Sequence, residues 1–242
     1  MHRFYAEGAL TDGLAMLSEE DIRHATRVLR LQDGDEVEIF AEGKRYAGTL
    51  ANTDSGLACR IDHELPGTEA KLRVTLYQGL PKAEKMEWIV QKAVELGADC
   101  VVPVAMSRCV VQLDKKDGLR KQERWQKIAR EAGKQSGRCA AMKVEAPISM
   151  KELYDRLQKH EAALVPWEEA NGYSLNTFRE EHPQCTDVAV VIGPEGGMSA
   201  EEVTAMAESG CRAVTLGPRI LRTETAAITS VAMLMCLFGE MQ

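Results

Sequence analysis

Leu216-Gly-Pro-Arg-Ile-Leu-Arg-Thr-Glu-Thr-Ala226 joins a strand-like run, Arg212 to Leu216, to an apolar helical run, Thr223 to Phe238. Upstream, Ile192-Gly-Pro-Glu-Gly-Gly197 follows another strand-like run, Asp187 to Ile192, and leads to a helical stretch, Ser199 to Glu208. Two glycine-bearing turns at the ends of neighbouring strands mark where open α/β sheets bind ligands. Glycine lets backbone N–H groups come close to a small molecule, and a helix that starts there adds unpaired donors. The pair predicts a pocket of cofactor size. Either turn alone would serve equally as an ordinary bend before a capped helix, since Ser199-Ala-Glu-Glu202 is itself a capping box.

Outward from these turns, strands and helices alternate from Leu72 onward, which predicts a largely parallel sheet covered on both faces. Leu72 to Gln78 reads as a strand, and Lys82 to Leu96 as a helix with Met86, Ile89, Val90, Ala93 and Val94 inward and Gly97 past its end. Cys100 to Ala105 is the next strand. A helix over roughly 119–135 carries Trp125, Ile128, Ala129 and Ala132 on its apolar side, then come helix Ser149 to Gln158 and strand Ala162 to Val165. Trp88 and Trp125 both read as core residues on apolar helix faces. The loops Pro166-Trp-Glu-Glu169, 193–198 and 217–222 could share one pocket.

The first seventy residues differ in texture. Ser18-Glu-Glu-Asp21 resembles a capping box, and Ile22, Ala25, Val28 and Leu29 follow at helical spacing. Three short strand-like runs come next, Glu36 to Phe40, Arg45 to Ala51 and Leu57 to Ile61. Turn formers separate them at Asp33-Gly34, Glu42-Gly43 and Asp54-Ser-Gly56, which suggests a small β-barrel. Asp62 to Lys71, with Pro66-Gly67, reads as a linker. The expected organisation is therefore α/β with two domains, 1–70 and 71–242.

The longest apolar run, Ala226 to Phe238, holds thirteen residues, short of the roughly twenty that span a bilayer. The opening residues lack the apolar core of a signal peptide. Seven cysteines, at 59, 100, 109, 139, 185, 211 and 236, are odd in number and include no Cys-x-x-Cys pair, so they read as reduced, mostly buried thiols of a cytoplasmic protein.

A net charge of −7 argues against nucleic acid, yet Arg108 to Lys143 holds eleven Lys or Arg against four Asp or Glu. Such a segment neutralises phosphates even on an acidic chain, or is simply a solvated helix face. Arg23, Arg27 and Arg30 recur at i, i+4 and i+7, lining three guanidinium groups on one side of a helix beside His24. Phosphate would suit them, as would carboxylates of the same domain.

Gly193-Pro-Glu-Gly-Gly197 departs from G-x-G-x-x-G, and no G-x-x-x-x-G-K-[ST] is present. Glu195 and the Glu168-Glu169 pair would repel a pyrophosphate but tolerate a cationic, hydroxylated ligand such as S-adenosylmethionine. The five histidines lack metal-ligand spacing, and neither G-x-S-x-G nor H-E-x-x-H occurs, so no metal is expected.

Both glycine turns, with Met86-Glu-Trp-Ile-Val-Gln-Lys-Ala-Val-Glu-Leu-Gly97, Glu131-Ala-Gly-Lys-Gln-Ser-Gly-Arg138 and His24-Ala-Thr-Arg-Val-Leu-Arg30, resemble the bacterial ribosomal small subunit methyltransferase E family of the SPOUT superfamily. The resemblance spans nearly the whole chain. It implies a PUA-like barrel, a SPOUT domain whose C-terminal chain forms a trefoil knot, and a homodimer. It also implies methylation at N3 of one uridine in 16S ribosomal RNA, with S-adenosylmethionine held by Pro166, Trp167, Ile192, Gly193, Pro194, Glu195, Gly196, Gly197, Leu216, Gly217, Ile220 and Leu221. Arg222, which closes the second turn, is expected to stabilise negative charge on the base, unless it pairs with Glu224. RNA contacts are expected from Arg3, Arg23, Arg27, Arg30, Lys82, Lys85, Arg108, Arg124, Gln135 and Arg138, mostly to phosphate. A folded site read by shape would make the assembled small subunit a better substrate than naked RNA. Gly133, inside the long helix, is expected to weaken it slightly. The alternatives are a related enzyme acting at another RNA position and a non-catalytic RNA-binding factor.

Overall fold

The computed structural model describes residues 1–53 and 56–241; the Asp54-Ser55 part of one expected turn lies outside them. The chain forms two compact units, Met1–Glu69 with Gly133–Ala141, and Ala70–Ala132 with Met142–Gln242.

The first unit holds β1 (His2–Tyr5), β2 (Leu14–Met16), α1 (Glu19–Arg23), β3 (Glu36–Ala41), β4 (Lys44–Thr53) and β5 (Gly56–Leu65). Its sheet runs β1-β3-β4-β5-β2, parallel only at β1–β3. Beyond the two edge strands, Ala6 and Leu17 form an antiparallel bridge. Phe4, Val37, Ile39, Leu50 and Cys59 fill the interior.

Three expectations change here. Ser18 caps α1 by accepting the Asp21 N–H, but α1 gives way at His24–Val28 to a wider π turn. Arg30 then lies past the helix in the left-handed region, so the three arginines do not form a straight row, and Val28 points outward at 66% exposure. The expected linker is partly strand, because β5 pairs with β4 as far as Leu65. Its remaining residues are tied down: Thr68 donates to the Gly137 carbonyl at 2.7 Å and the Glu69 carboxylate binds the Arg138 guanidinium. Edge strands β1 and β2, four and three residues long, were too short to show a period of two.

The second unit contains β6 (Arg73–Gly79), α2 (Lys85–Glu95), β7 (Cys100–Ala105), α3 (Lys115–Ser136, its last turn grouped with the first unit), β8 (Lys143–Val144) and β9 (Ile148–Ser149). It continues with α4 (Met150–Leu157), β10 (Ala162–Pro166), α5 (Leu175–Glu181), β11 (Asp187–Ile192), α6 (Ala200–Glu208), β12 (Cys211–Val214) and α7 (Thr223–Leu237). The strands pair parallel in the order β12-β10-β11-β6-β7-β8, with β9 also on β7. Alternation along the strands feeds two cores. Val74, Leu76, Val188 and Val190 pack with α2 and α7 on one face, and Tyr77, Ala189 and Val191 pack with α4 and α6 on the other. Burial on both faces explains the continuous apolar runs. Ser149 and Ser199 each form a complete capping box, with Glu152 and Glu202. Trp125 is buried, whereas Trp88 is 46% exposed and is not the core residue expected. Helix α5 was missed because seven residues give barely two turns of pattern.

All seven cysteines are free thiols, and Cys59, Cys100, Cys139 and Cys211 are buried. Burial pushes the Cys59, Cys100 and Cys211 thiols up to about 12. No helix among the described residues is long and apolar enough to cross a membrane.

Gly133 has a packing reason within its unit. A Cβ there would run into the Tyr5 hydroxyl, which is buried and donates to the Arg138 carbonyl at 2.9 Å. Gly133→Ala is expected to destabilise the first unit by about 1–3 kcal/mol through overpacking, despite a helix-propensity gain of about 1 kcal/mol. Urea unfolding of the variant against wild type checks the sign.

Candidate functional site

Strand β6 leads to β7 on one side, whereas β10, β11 and β12 are laid down on its other side. The carboxyl ends of strands around such a reversal form a crevice. Here it is a cleft of about 440 Å³ walled by Lys85 beyond β6, Pro166 and Glu168 beyond β10, Ile192 to Met198 at the end of β11, and Ile220 to Thr223 with Ala226. An adjoining hollow of about 80 Å³ adds Trp167, Leu216, Gly217 and Arg219. Every residue expected to hold the cofactor lines one of these two spaces. They share Pro166, Glu168, Ile220, Leu221 and Ala226.

Two buried contacts fix the loops against one another. Thr223 Oγ1 donates to the Gly193 carbonyl at 2.6 Å and accepts from Gln78 Nε2 at 2.9 Å, joining the first residue of α7 to the loop after β11. Gln78 is wholly buried and spends its second N–H on the Gly79 carbonyl at 2.9 Å; its Oε1 has no hydrogen-bond partner. Beside it, a Cβ on Gly79 would come within 2.7 Å of the Pro194 nitrogen, so the end of β6 touches the glycine loop backbone to backbone. Gln78 and Gly79 were not singled out from sequence, although a glycine closing a strand is the ordinary sign of such an approach.

Charge in the cleft is ordered. The Lys85 ammonium lies 3.0 Å from Glu195 Oε1 and 3.1 Å from Glu224 Oε2, and Glu195 also accepts the Lys82 N–H at 3.0 Å. The contact with Glu195, and with it the Glu224 carboxylate, outweighs burial and raises the Lys85 ammonium above its ordinary range. Burial pushes the Glu195 carboxyl upward, but the Lys85 hydrogen bond and the N–H groups of Glu195 and Lys82 more than offset it, so it is held below the usual carboxylate range. Glu224 is thus bound to Lys85, not to Arg222. The side chains of Arg222 and Glu168 make no hydrogen bond or ion pair among the described residues.

The structure redistributes the arginines and lysines expected to hold RNA. In the second unit Lys82 is exposed, Arg108 Nη1 donates to the Gly196 carbonyl at 3.3 Å, and Arg124 pairs with Glu87 at 2.8 Å. Lys85 belongs to the cleft wall instead of an open surface. In the first unit Arg138 is only 7% exposed and clamped by Glu69, which corrects its assignment as a phosphate contact. Arg3 is likewise committed, to Glu38 at 3.0 Å and to the carbonyls of Lys134 and Gln135. Glu38 is held below the usual carboxylate range, chiefly by its hydrogen bond with Arg45, then against burial by Arg3. Arg23 is exposed with its Nε on the Glu19 carbonyl, Gln135 is exposed, and Arg27 and Arg30 are exposed with no side-chain partner among the described residues.

Thr223→Val would strand the buried Gln78 amide and the Gly193 carbonyl. We expect a loss of about 1–3 kcal/mol in chemical denaturation and weaker ligand binding, both largely restored in Thr223→Ser. Gly79→Ala should displace Pro194 and reduce ligand affinity more than global stability, with calorimetry and thermal melting read on the same sample.

Known proteins share this architecture and much of its sequence. Residues 68–235 match a family model described as an RNA methyltransferase domain, and residues 17–61 match an RNA methyltransferase PUA domain. The chain is 33% identical over 223 residues to ribosomal RNA small subunit methyltransferase E of Bacillus subtilis, covering 89% of this chain and 87% of that one. It is also 33% identical over 243 residues to the protein of that name from Aquifex aeolicus, covering 97% and 99%. The crystal structure of a ribosomal RNA small subunit methyltransferase E from Neisseria gonorrhoeae bound to S-adenosyl methionine matches with a TM-score of 0.86 and 34% identity, covering 98% of each chain.

Proposed function

The chain belongs to the ribosomal RNA small subunit methyltransferase E family, and we propose that it methylates N3 of one uridine in 16S ribosomal RNA on the assembled small subunit. It is a methyltransferase of small-subunit ribosomal RNA that uses S-adenosylmethionine. The observation that carries the reading is the convergence of both glycine loops on one cleft at the carboxyl ends of the sheet.

The residues present suit that donor. A cleft of about 440 Å³ is within the roughly 300–1,000 Å³ common for small-molecule sites. Backbone groups of Gly193 to Gly197 and Gly217 to Leu221 would hold its nucleoside, with Pro166 and Trp167 walling the adjoining hollow. The donor supplies a methyl group already activated by a sulfonium, so the protein's contribution is mainly positioning. Neutral uracil carries a proton at N3, and its removal leaves charge spread over two carbonyl oxygens. Arg222, exposed at the cleft and unpaired among the described residues, is suited to stabilise that charge. The target base must leave its stack to enter.

In this reading the bridge between Ala6 and Leu17 closes the small unit into a PUA-like barrel, and the residues after β12 pass through the preceding loops as a trefoil knot. Helix α7 is apolar nearly all round, yet Cys236 is exposed and Ile228 and Ala232 are only partly buried, which favours a homodimer. Lys82, Arg23, Arg27, Arg30, Arg108, Arg124 and Gln135 would meet RNA, and the enzyme would work in the cytoplasm.

Incubation with labelled S-adenosylmethionine, followed by mass spectrometry of the nucleosides, tests the reading. We expect N3-methyluridine in 16S RNA, formed faster on assembled small subunits than on protein-free transcript. Arg222→Ala should reduce turnover by about 10²–10³ with cofactor affinity nearly unchanged. A methylated ribose, a different base or no transfer at all would refute it.

A further inference from the structure

The geometry points to Glu168 as the general base that removes the N3 proton of the target uridine. The inference rests on the methylation of uridine N3 argued above.

Among the described residues, four titratable side chains line the cleft: Lys85, Glu168, Glu195 and Arg222. Lys85 is held as an ammonium between Glu195 and Glu224 and has no lone pair to offer. Arg222 carries a guanidinium, which offers N–H donors and no acceptor for a proton. Glu195 is an ionised carboxylate, but Lys85 and the Lys82 N–H already occupy it, and protonating it would break its ion pair with Lys85. Glu168 alone is a carboxylate with neither a hydrogen bond nor an ion pair among the described residues.

Its placement fits the role. Glu168 follows β10, and its Oε1 lies 3.9 Å from the point where a Cβ would project from Gly197, so the carboxylate overhangs the glycine loop. Arg108 Nη1 lies 3.9 Å from the same point and is steadied by the Gly196 carbonyl. A free carboxylate and a guanidinium therefore flank Gly197. The first can accept a proton from a base lying above the loop, and the second can face a carbonyl oxygen of that base.

The step balances without any further reactant. The uridine N3–H bond breaks, its proton passes to a Glu168 oxygen, and the electron pair left on N3 forms the new N–CH3 bond. The donor's carbon–sulfur bond breaks with its pair going to sulfur, which ends as a neutral thioether. Glu168 then releases the proton to water.

The test compares wild type, Glu168→Gln and Glu168→Asp on assembled small subunits. It reads kcat and KM for the donor, the pH dependence of kcat, and donor affinity by calorimetry without RNA. Loss of a general base predicts a fall in kcat at saturating donor of about 10²–10⁴ in Glu168→Gln, partial recovery in Glu168→Asp, and a change in calorimetric affinity far smaller than the change in kcat. The residual rate of Glu168→Gln should rise about tenfold per pH unit as hydroxide takes over, where wild type is flatter. A kcat within about threefold of wild type, or a deficit that saturating donor restores, assigns Glu168 to binding and overturns the inference. If wild type itself yields no N3-methyluridine, the reaction assigned to the cleft is wrong and Glu168 falls with it.

Discussion

One hydroxyl holds the cleft together. Thr223 begins α7, and its Oγ1 gives its proton to the Gly193 carbonyl while taking one from Gln78. Because an oxygen can donate one hydrogen and still accept, a single side chain fastens three segments that are remote in sequence: the end of β6, the loop after β11 and the helix after β12. The link is buried, where an unmade hydrogen bond costs far more than a made one gains. The loop after β11 is therefore joined at one point to both the end of β6 and the start of α7.

The same contact sorts the charges. With Glu224 in the first turn of α7 and Glu195 in the loop that Thr223 anchors, both carboxylates reach Lys85 at the start of α2. Lys85 is satisfied within the protein and acts as a brace. That leaves Arg222 and Glu168, one cation and one anion, as the cleft's unengaged charges among the described residues. The methylation proposed above, which takes a proton from a neutral base and spreads the resulting negative charge, would use one group of each sign.

Much of this was legible in the sequence, and the exceptions share a cause. Periodicity placed β6, β7, β10, β11 and β12 and helices α2, α3, α4, α6 and α7, though not the short α5, because their apolar patterns run for several residues against a fixed period. Composition alone marked both glycine turns. The π turn at His24–Val28 was not legible, since it depends on a hydrogen bond shifting by one residue, which no side-chain pattern encodes. Arg138 and Arg3 read as surface arginines because burial of a charge depends on a partner far along the chain, here Glu69 and Glu38. Gln78 was invisible for the same reason: it sits in an apolar strand, and only the distant Thr223 gives its amide a purpose.

The redistribution of arginines changes how RNA affinity should be understood. Counting residues suggested a strong basic surface, but each guanidinium already clamped by a carboxylate brings little net charge to a phosphate and releases few counterions. Arg138 and Arg3 hold their unit together, and Arg124 is partly neutralised by Glu87. Arg27 and Arg30 retain their charge, and Arg30 sits where the chain turns out of its helix, so the two lie on a curved edge instead of a straight row. On a chain of net charge −7, the cations that keep their charge act against a net negative background. Phosphate contacts position a strand without reading its sequence, so these cations contribute affinity and not choice among RNAs.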